Sequence, residues 1–327
     1  MKGRGLKSHP FEKREFNFLK KLQWVFVIFI FVFLGRMVWK DWIQVKKASF
    51  SFTSFPFIIS TFIFAFSYFI QIWAWYRITL KLEIALSLLE TLKSWFYSQL
   101  GKYLPGKVWI LLSRFTFYEL RGKSKKNIAI ALYFETITMI MAAFLIFFMA
   151  MILFKKIGLF YSGGQLWFLI LLVIFAFICL HPRFLQNLLN WILVQFKREP
   201  ISLFISYSEI LWILFICIVA WIVGGIGFYL FIDSVYPVPS TYIVFLTGAL
   251  AISSTLGFIA VFAPSGLGIR EGALIYLLSY IMPEAVAVII AVLTRIWMTL
   301  IEIGLIGVIY LLSKFGKIEK KDSCGQN

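Results

Sequence analysis

Two short stretches place anion-holding residues inside runs that otherwise read as membrane-buried. The first is Gly101-Lys102-Tyr103-Leu104-Pro105-Gly106-Lys107, with Arg114 just beyond it. The second is Pro264-Ser265-Gly266-Leu267-Gly268-Ile269-Arg270-Glu271. Each couples a glycine- or proline-bearing break to cations. Backbone N–H groups freed at such a turn, with an ammonium or guanidinium beside them, form a cradle for phosphate. A lysine at membrane depth is costly unless it meets water, a counter-ion or an anionic ligand. Irregular backbone at that depth needs protein or a wet cavity to satisfy it. The competing reading of Lys102 and Lys107 is that both snorkel to the interface from a shallow hairpin. Glu271 in a first helical turn complements the helix dipole and needs no ligand, whereas Arg270 in the same turn opposes it and asks for an anion. The candidate anion-binding residues on these two stretches are Lys102, Tyr103, Pro105, Gly106, Lys107, Arg114, Gly266, Gly268, Arg270 and Glu271.

Three further charges lie within apolar spans: Glu135, Arg295 and Glu302. Arg295 and Glu302 are two turns apart and share a helix face. Intramembrane charges of this kind mark function or a structural ion pair, and Glu135–Arg295 or Glu302–Arg295 pairing fits the spacing. Arg36, Glu209 and Asp233 fall near span ends and read as interfacial. Cys179, Cys217 and Cys324 are far apart, and His9 and His181 are the two histidines. That set carries neither a disulfide framework nor a metal site. Phosphate-binding loops, dinucleotide fingerprints and nucleophile elbows are absent from the sequence. No catalytic residue, metal or cofactor is expected.

The elements that must position these residues are membrane helices. The chain has 327 residues, of which 61% are hydrophobic and 14% charged, with a net charge of +17. Such a composition belongs to a polytopic membrane protein. The basic excess reads as orientation signal and attraction to anionic headgroups, not as a nucleic-acid surface. Full spans are expected at about 22–39, 52–76, 128–154, 166–180, 210–232 and 285–312. Residues 77–93 and 183–205 read as amphipathic interfacial segments. The arms 94–100 and 108–112 around the first break fall short of the ~20 residues a crossing needs, so a hairpin returning to its own side is expected. Residues 242–262 and 273–281 read as the arms of a second hairpin from the opposite side. The fold class is thus an all-α polytopic membrane protein with about six full spans and two re-entrant helical hairpins, or alternatively eight spans.

Lys and Arg crowd segments 1–21, 77–93, 114–126, 182–208 and 314–321 and are sparse in 40–51, 155–165 and 233–240. The positive-inside rule then puts both termini in the cytoplasm of a multi-pass cell-membrane protein. The expected organisation is a basic tail (1–21), one transmembrane domain (22–313) and a short basic tail (314–327).

At these residues the sequence resembles the transmembrane region of lysylphosphatidylglycerol synthases, a family of flippase-like integral membrane proteins. The likeness rests on Tyr103-Leu104-Pro105-Gly106 with Arg114, on Gly122 before the Glu135 span, on Pro264 through Glu271, and on Arg295 with a glycine-bearing helix after it. It extends from about residue 20 to residue 313. The resemblance implies a lipid-translocating role in which the two broken segments meet at the site. The aminoacyl-transfer domain of full-length synthases has no counterpart in this sequence, so lysine transfer by this chain alone is not expected. Lys102, Lys107 and Arg270 would hold a phosphate headgroup while its tails stay in the bilayer. Expected partners are membrane lipids of the anionic phospholipid or polyprenyl-phosphate type, with a lipid-synthesising enzyme and a second copy of the chain as further candidates. The alternative function is a membrane-embedded enzyme subunit, with Glu135, Glu271 or Glu302 as acid–base groups, or a scaffold for lipid or glycolipid synthesis.

Overall fold

A computed structural model describes residues 50–103, 108–154, 180–195, 205–260 and 266–323, together with positions 167, 171, 174, 178, 197 and 263. Among them are nine α-helices and no strand. They are α1 (Ser54–Lys81), α2 (Leu88–Gln99), α3 (Val108–Glu119), α4 (Lys125–Leu153), α5 (Pro182–Gln195), α6 (Tyr207–Val235), α7 (Ile243–Ile259), α8 (Ile269–Leu278) and α9 (Glu284–Ser323). Short 3₁₀ turns at Leu100–Tyr103 and Ser240–Tyr242 follow α2 and precede α7.

The frame is built from α1, α4, α6 and α7, which pack in one bundle. Lipid tails are as apolar as leucine, so such helices associate through close packing rather than hydrophobic expulsion. The sequence supplies small residues where they touch. A Cβ on Gly227 of α6 would lie 3.1 Å from the Ser60 carbonyl oxygen of α1, and one on Gly248 of α7 would lie 2.6 Å from the Ala150 Cβ of α4. Ser60 and Ser67 of α1 satisfy their buried hydroxyls by donating to carbonyls three residues back, both at 2.7 Å. The opposite face of α1 presents Phe55, Phe62, Phe66 and Trp73 outward. That face suits hydrocarbon.

Among the described residues, five helical segments are long and apolar enough to cross a membrane: Ser54–Lys81, Lys125–Leu153, Tyr207–Val235, Ser240–Ile259 and Glu284–Lys314. Four of them are the expected spans at 52–76, 128–154, 210–232 and 285–312. The fifth, Ser240–Ile259, was expected to be one arm of an outer hairpin. At 20 residues it meets the length of a crossing instead. The expected span at 22–39 lies outside the described residues, as does most of 166–180. The described positions of the latter, Trp167, Leu171, Ile174 and Ile178, are helical and exposed.

The expected interfacial helix at 77–93 is corrected. Residues 77–81 complete α1, Glu83 takes a left-handed φ of 58°, and a new helix starts at Leu88. The cause is legible locally. Ser87 caps α2, accepting from the Glu90 N–H, and also donates to the Glu90 carboxylate at 3.3 Å. This Ser-x-x-Glu signature opens a helix where the apolar pattern alone suggested continuity. Segment 183–205 does contain an amphipathic helix, α5, with Phe184, Trp191 and Val194 exposed and Leu185 buried.

Candidate functional site

The first break sits at the tip of a hairpin made by α2 and α3, each 12 residues long and too short to cross. Contacts between the arms run in opposite order, from Glu90–Arg121 at the open end, through Ser98–Arg114, to Gly101 against Trp109 and Ile110 at the tip. A Cβ at Gly101 would stand 2.7 Å from the Trp109 carbonyl carbon. Glycine therefore lets the tip close and brings Lys102 back toward the bundle. Pro105, Gly106 and Lys107, expected in the site, lie outside the described residues. Tyr103 is placed in the 3₁₀ turn by its backbone.

The second break separates α7 from α8. Gly266 and Gly268 take φ of 70° and 85°, a left-handed geometry that other residues avoid. The Gly268 N–H donates to a Glu271 carboxylate oxygen at 2.8 Å, closing the first turn of α8. The other Glu271 oxygen accepts from Arg295 of α9. Arg270 is held by the absence of a side chain at Gly257, whose Cβ would lie 2.8 Å from that of Arg270.

These placements bring Lys102, Arg114 and Arg270 to the wall of one cavity of about 270 Å³, which Glu135 and Glu302 also line. Phe64, Trp95, Met139, Trp221 and Phe258 supply much of the remaining wall. Gly266, Gly268, Glu271 and Arg295 do not line it; they belong to the turn and the ion pair at the start of α8.

The charges pair differently from the sequence expectation. Arg295 takes neither Glu135 nor Glu302 but Glu271. Glu302 pairs with Lys102 and accepts from the Tyr68 hydroxyl at 2.8 Å. Glu135 pairs with Arg114 and accepts from the Trp95 indole N–H at 3.2 Å. The reason is tertiary: Arg295 faces the start of α8, while the hairpin delivers Lys102 to α9 and Arg114 to α4. Arg114 is only 3% exposed, donates twice to the Ser98 hydroxyl, and lies over the Trp75 ring at 4.8 Å. Away from the site, Glu209 pairs with Arg77 and Lys81, and Asp233 accepts from the Val238 N–H at 3.1 Å.

Glu135, Glu271 and Glu302 are thus each taken by one cation. Arg270 is left over. Among the described residues it forms no ion pair, and its guanidinium contacts the Met298 sulfur. A cation shielded from water and without a direct carboxylate partner is costly, and an anion entering the cavity offsets that cost. A second polar group waits nearby. The Ser254 hydroxyl lines the same cavity, is buried and has no hydrogen-bond partner among the described residues. Together they can bind one anionic group by charge-assisted hydrogen bonds. Sequence reasoning did not single out Ser254, Tyr68, Trp95 or Gly257. The run Ser253-Ser254-Thr255 within an apolar helix was the available signal for the first; nothing local marks the others.

No group of three or more His, Cys, Asp or Glu among the described residues is arranged to hold a metal ion. No curated protein and no solved structure matches the chain. A model of the family described as the lysylphosphatidylglycerol synthase TM region matches residues 22–307.

Proposed function

The chain belongs to the lysylphosphatidylglycerol synthase transmembrane-region family, and we propose that it moves an anionic or isoprenoid-phosphate lipid between leaflets. The observation that carries this reading is Arg270, a cation without an ion-pair partner among the described residues, on the wall of a cavity whose other charges are matched. A phosphate headgroup supplies the missing charge, with Ser254 as a second donor.

Lys102 and Glu302 give the site a way to respond. Their ion pair ties the tip of the α2–α3 hairpin to α9. A headgroup bound at Arg270 competes with Glu302 for Lys102, so ligand binding weakens that tie. Only such differential contact can shift a conformational equilibrium. Movement of the hairpin against α8 and α9 would then expose the cavity alternately, as broken helices do in transporters. In this reading both termini face the cytoplasm of a cell membrane, and a lipid-synthesising enzyme on that side supplies the lipid.

The test is headgroup accessibility in proteoliposomes carrying labelled phosphatidylglycerol or a polyprenyl phosphate. Arg270→Ala is expected to slow leaflet exchange roughly tenfold or more, the scale of losing a charge-assisted hydrogen bond. Arg270→Lys should retain part of the rate. Exchange at wild-type rate in both variants would overturn the proposal. A change in lipid mass, not in leaflet, would identify an enzyme instead.

A further inference from the structure

A second cavity, of about 500 Å³, lies between α3 and α4 and is lined by Val108, Leu112, Phe115, Leu132, Tyr133 and Ile137 among others. It is almost wholly apolar, and it shares three wall residues with the charged cavity: Leu111, Thr136 and Ile140. The two spaces are therefore neighbours across that wall. Val108 and Leu112 on its rim are exposed, so the groove opens toward surrounding lipid.

We propose that this groove seats one acyl chain of the lipid whose headgroup is held at Arg270, and that α3 and α4 form the gate through which the lipid enters from the bilayer. The inference rests on the lipid-moving reading above and adds the chemistry and route of the substrate. A hydrocarbon chain gains little by leaving one apolar medium for another, so the groove guides the chain and does not trap it. It also spares the chain the charged cavity, where each exposed CH₂ would cost about 0.8 kcal/mol. Thr136 lines both spaces, so the wall they share carries one hydroxyl-bearing residue. An ester-linked glycerophospholipid carries carbonyl ester groups between headgroup and chains; a polyprenyl phosphate carries only its phosphoester oxygen there. The groove follows α3 from Val108 to Phe115, about two turns or ~11 Å. That length suits part of an acyl chain, the remainder lying in the bilayer.

The experiment uses the full chain in proteoliposomes with phosphatidylglycerol carrying a photoreactive group midway along one acyl chain. Crosslinks are expected on residues 108–115 and 132–140. Ile137→Trp fills the groove, and Leu112→Trp narrows it from the exposed rim. Each should lower those crosslinks and leaflet exchange roughly tenfold, the low end of overpacking an apolar space. Crosslinks spread evenly over the outward face of α1 and over α3–α4, or unchanged exchange in both Trp variants, would overturn the groove. If exchange still depended on Arg270, the lipid-moving reading would survive that result. Equal or faster exchange of a polyprenyl phosphate would overturn the acyl assignment.

Discussion

A Cβ at Gly257 would lie 2.8 Å from the Cβ of Arg270, so the end of α7 and the start of α8 pass at a separation that glycine allows. The same glycine meets Gly266, whose own Cβ would come within 2.7 Å of the Gly257 carbonyl oxygen. The position of the site guanidinium therefore depends on a residue with no side chain.

Gly257→Ala is expected to push Arg270 out of register while leaving most packing intact. Leaflet exchange should fall by about the amount that Arg270→Ala costs, with a modest drop in thermal stability of about 1–3 kcal/mol from overpacking. Paired transport and melting measurements check this. A large stability loss with unchanged transport per folded molecule would contradict the assigned role.

Lys102 and Glu302 form an inward-facing ion pair between the hairpin tip and α9. Removing one member leaves the other charged and shielded from water. Lys102→Met alone, or Glu302→Leu alone, is expected to destabilise by about 3–5 kcal/mol. The double variant should recover most of that loss, because an apolar pair of similar volume can replace a buried ion pair. Transport should stay low in all three. Recovery of transport in the double variant would show that the pair is structural.

Arg114 is held by three different interactions at once: the Glu135 ion pair, two donations to the Ser98 hydroxyl and the Trp75 ring face. Lysine keeps the charge but loses the planar fork and its stacking. Arg114→Lys is therefore expected to behave nearly as Arg114→Met in a thermal melt. Full stability in Arg114→Lys would mean that charge alone is needed there.

At the open end of the hairpin, the Arg121 side chain donates to Glu90 and holds its carboxyl below the ordinary value of 4.5. A lowered native value means that the ion pair stabilises the fold fully above that ordinary value. The contribution is lost as pH falls through the lowered one. Glu90 is 38% exposed, so solvent screens the pair to about 0.2–1 kcal/mol. The melting-temperature gap between the wild type and Glu90→Gln should be small near neutrality and close in acid. A gap that widened in acid would reverse the sign.

The sequence by itself determined the class and the two breaks. Runs of apolar residues longer than a bilayer is thick must become spanning helices, because lipid offers the backbone no hydrogen bonds. Glycines and prolines with cations between such runs cannot continue a helix quietly, which is why Gly101-Lys102 and Gly266 through Arg270 stood out. The start of α2 is legible too, in Ser87-x-x-Glu90. Partner choice was not legible. Arg295 and Glu302 share a helix face, yet Arg295 turns to Glu271 and Glu302 to Lys102. Helical periodicity fixes where a side chain points around its own axis and says nothing about which helix arrives there. The folding back of the α2–α3 hairpin decided that Lys102 and Arg114 would be neutralised. The approach of Gly257 to Gly266 and Arg270 set where that guanidinium lies, against the Met298 sulfur and without a direct carboxylate partner among the described residues. Which charges are paired directly and which are not is settled in three dimensions.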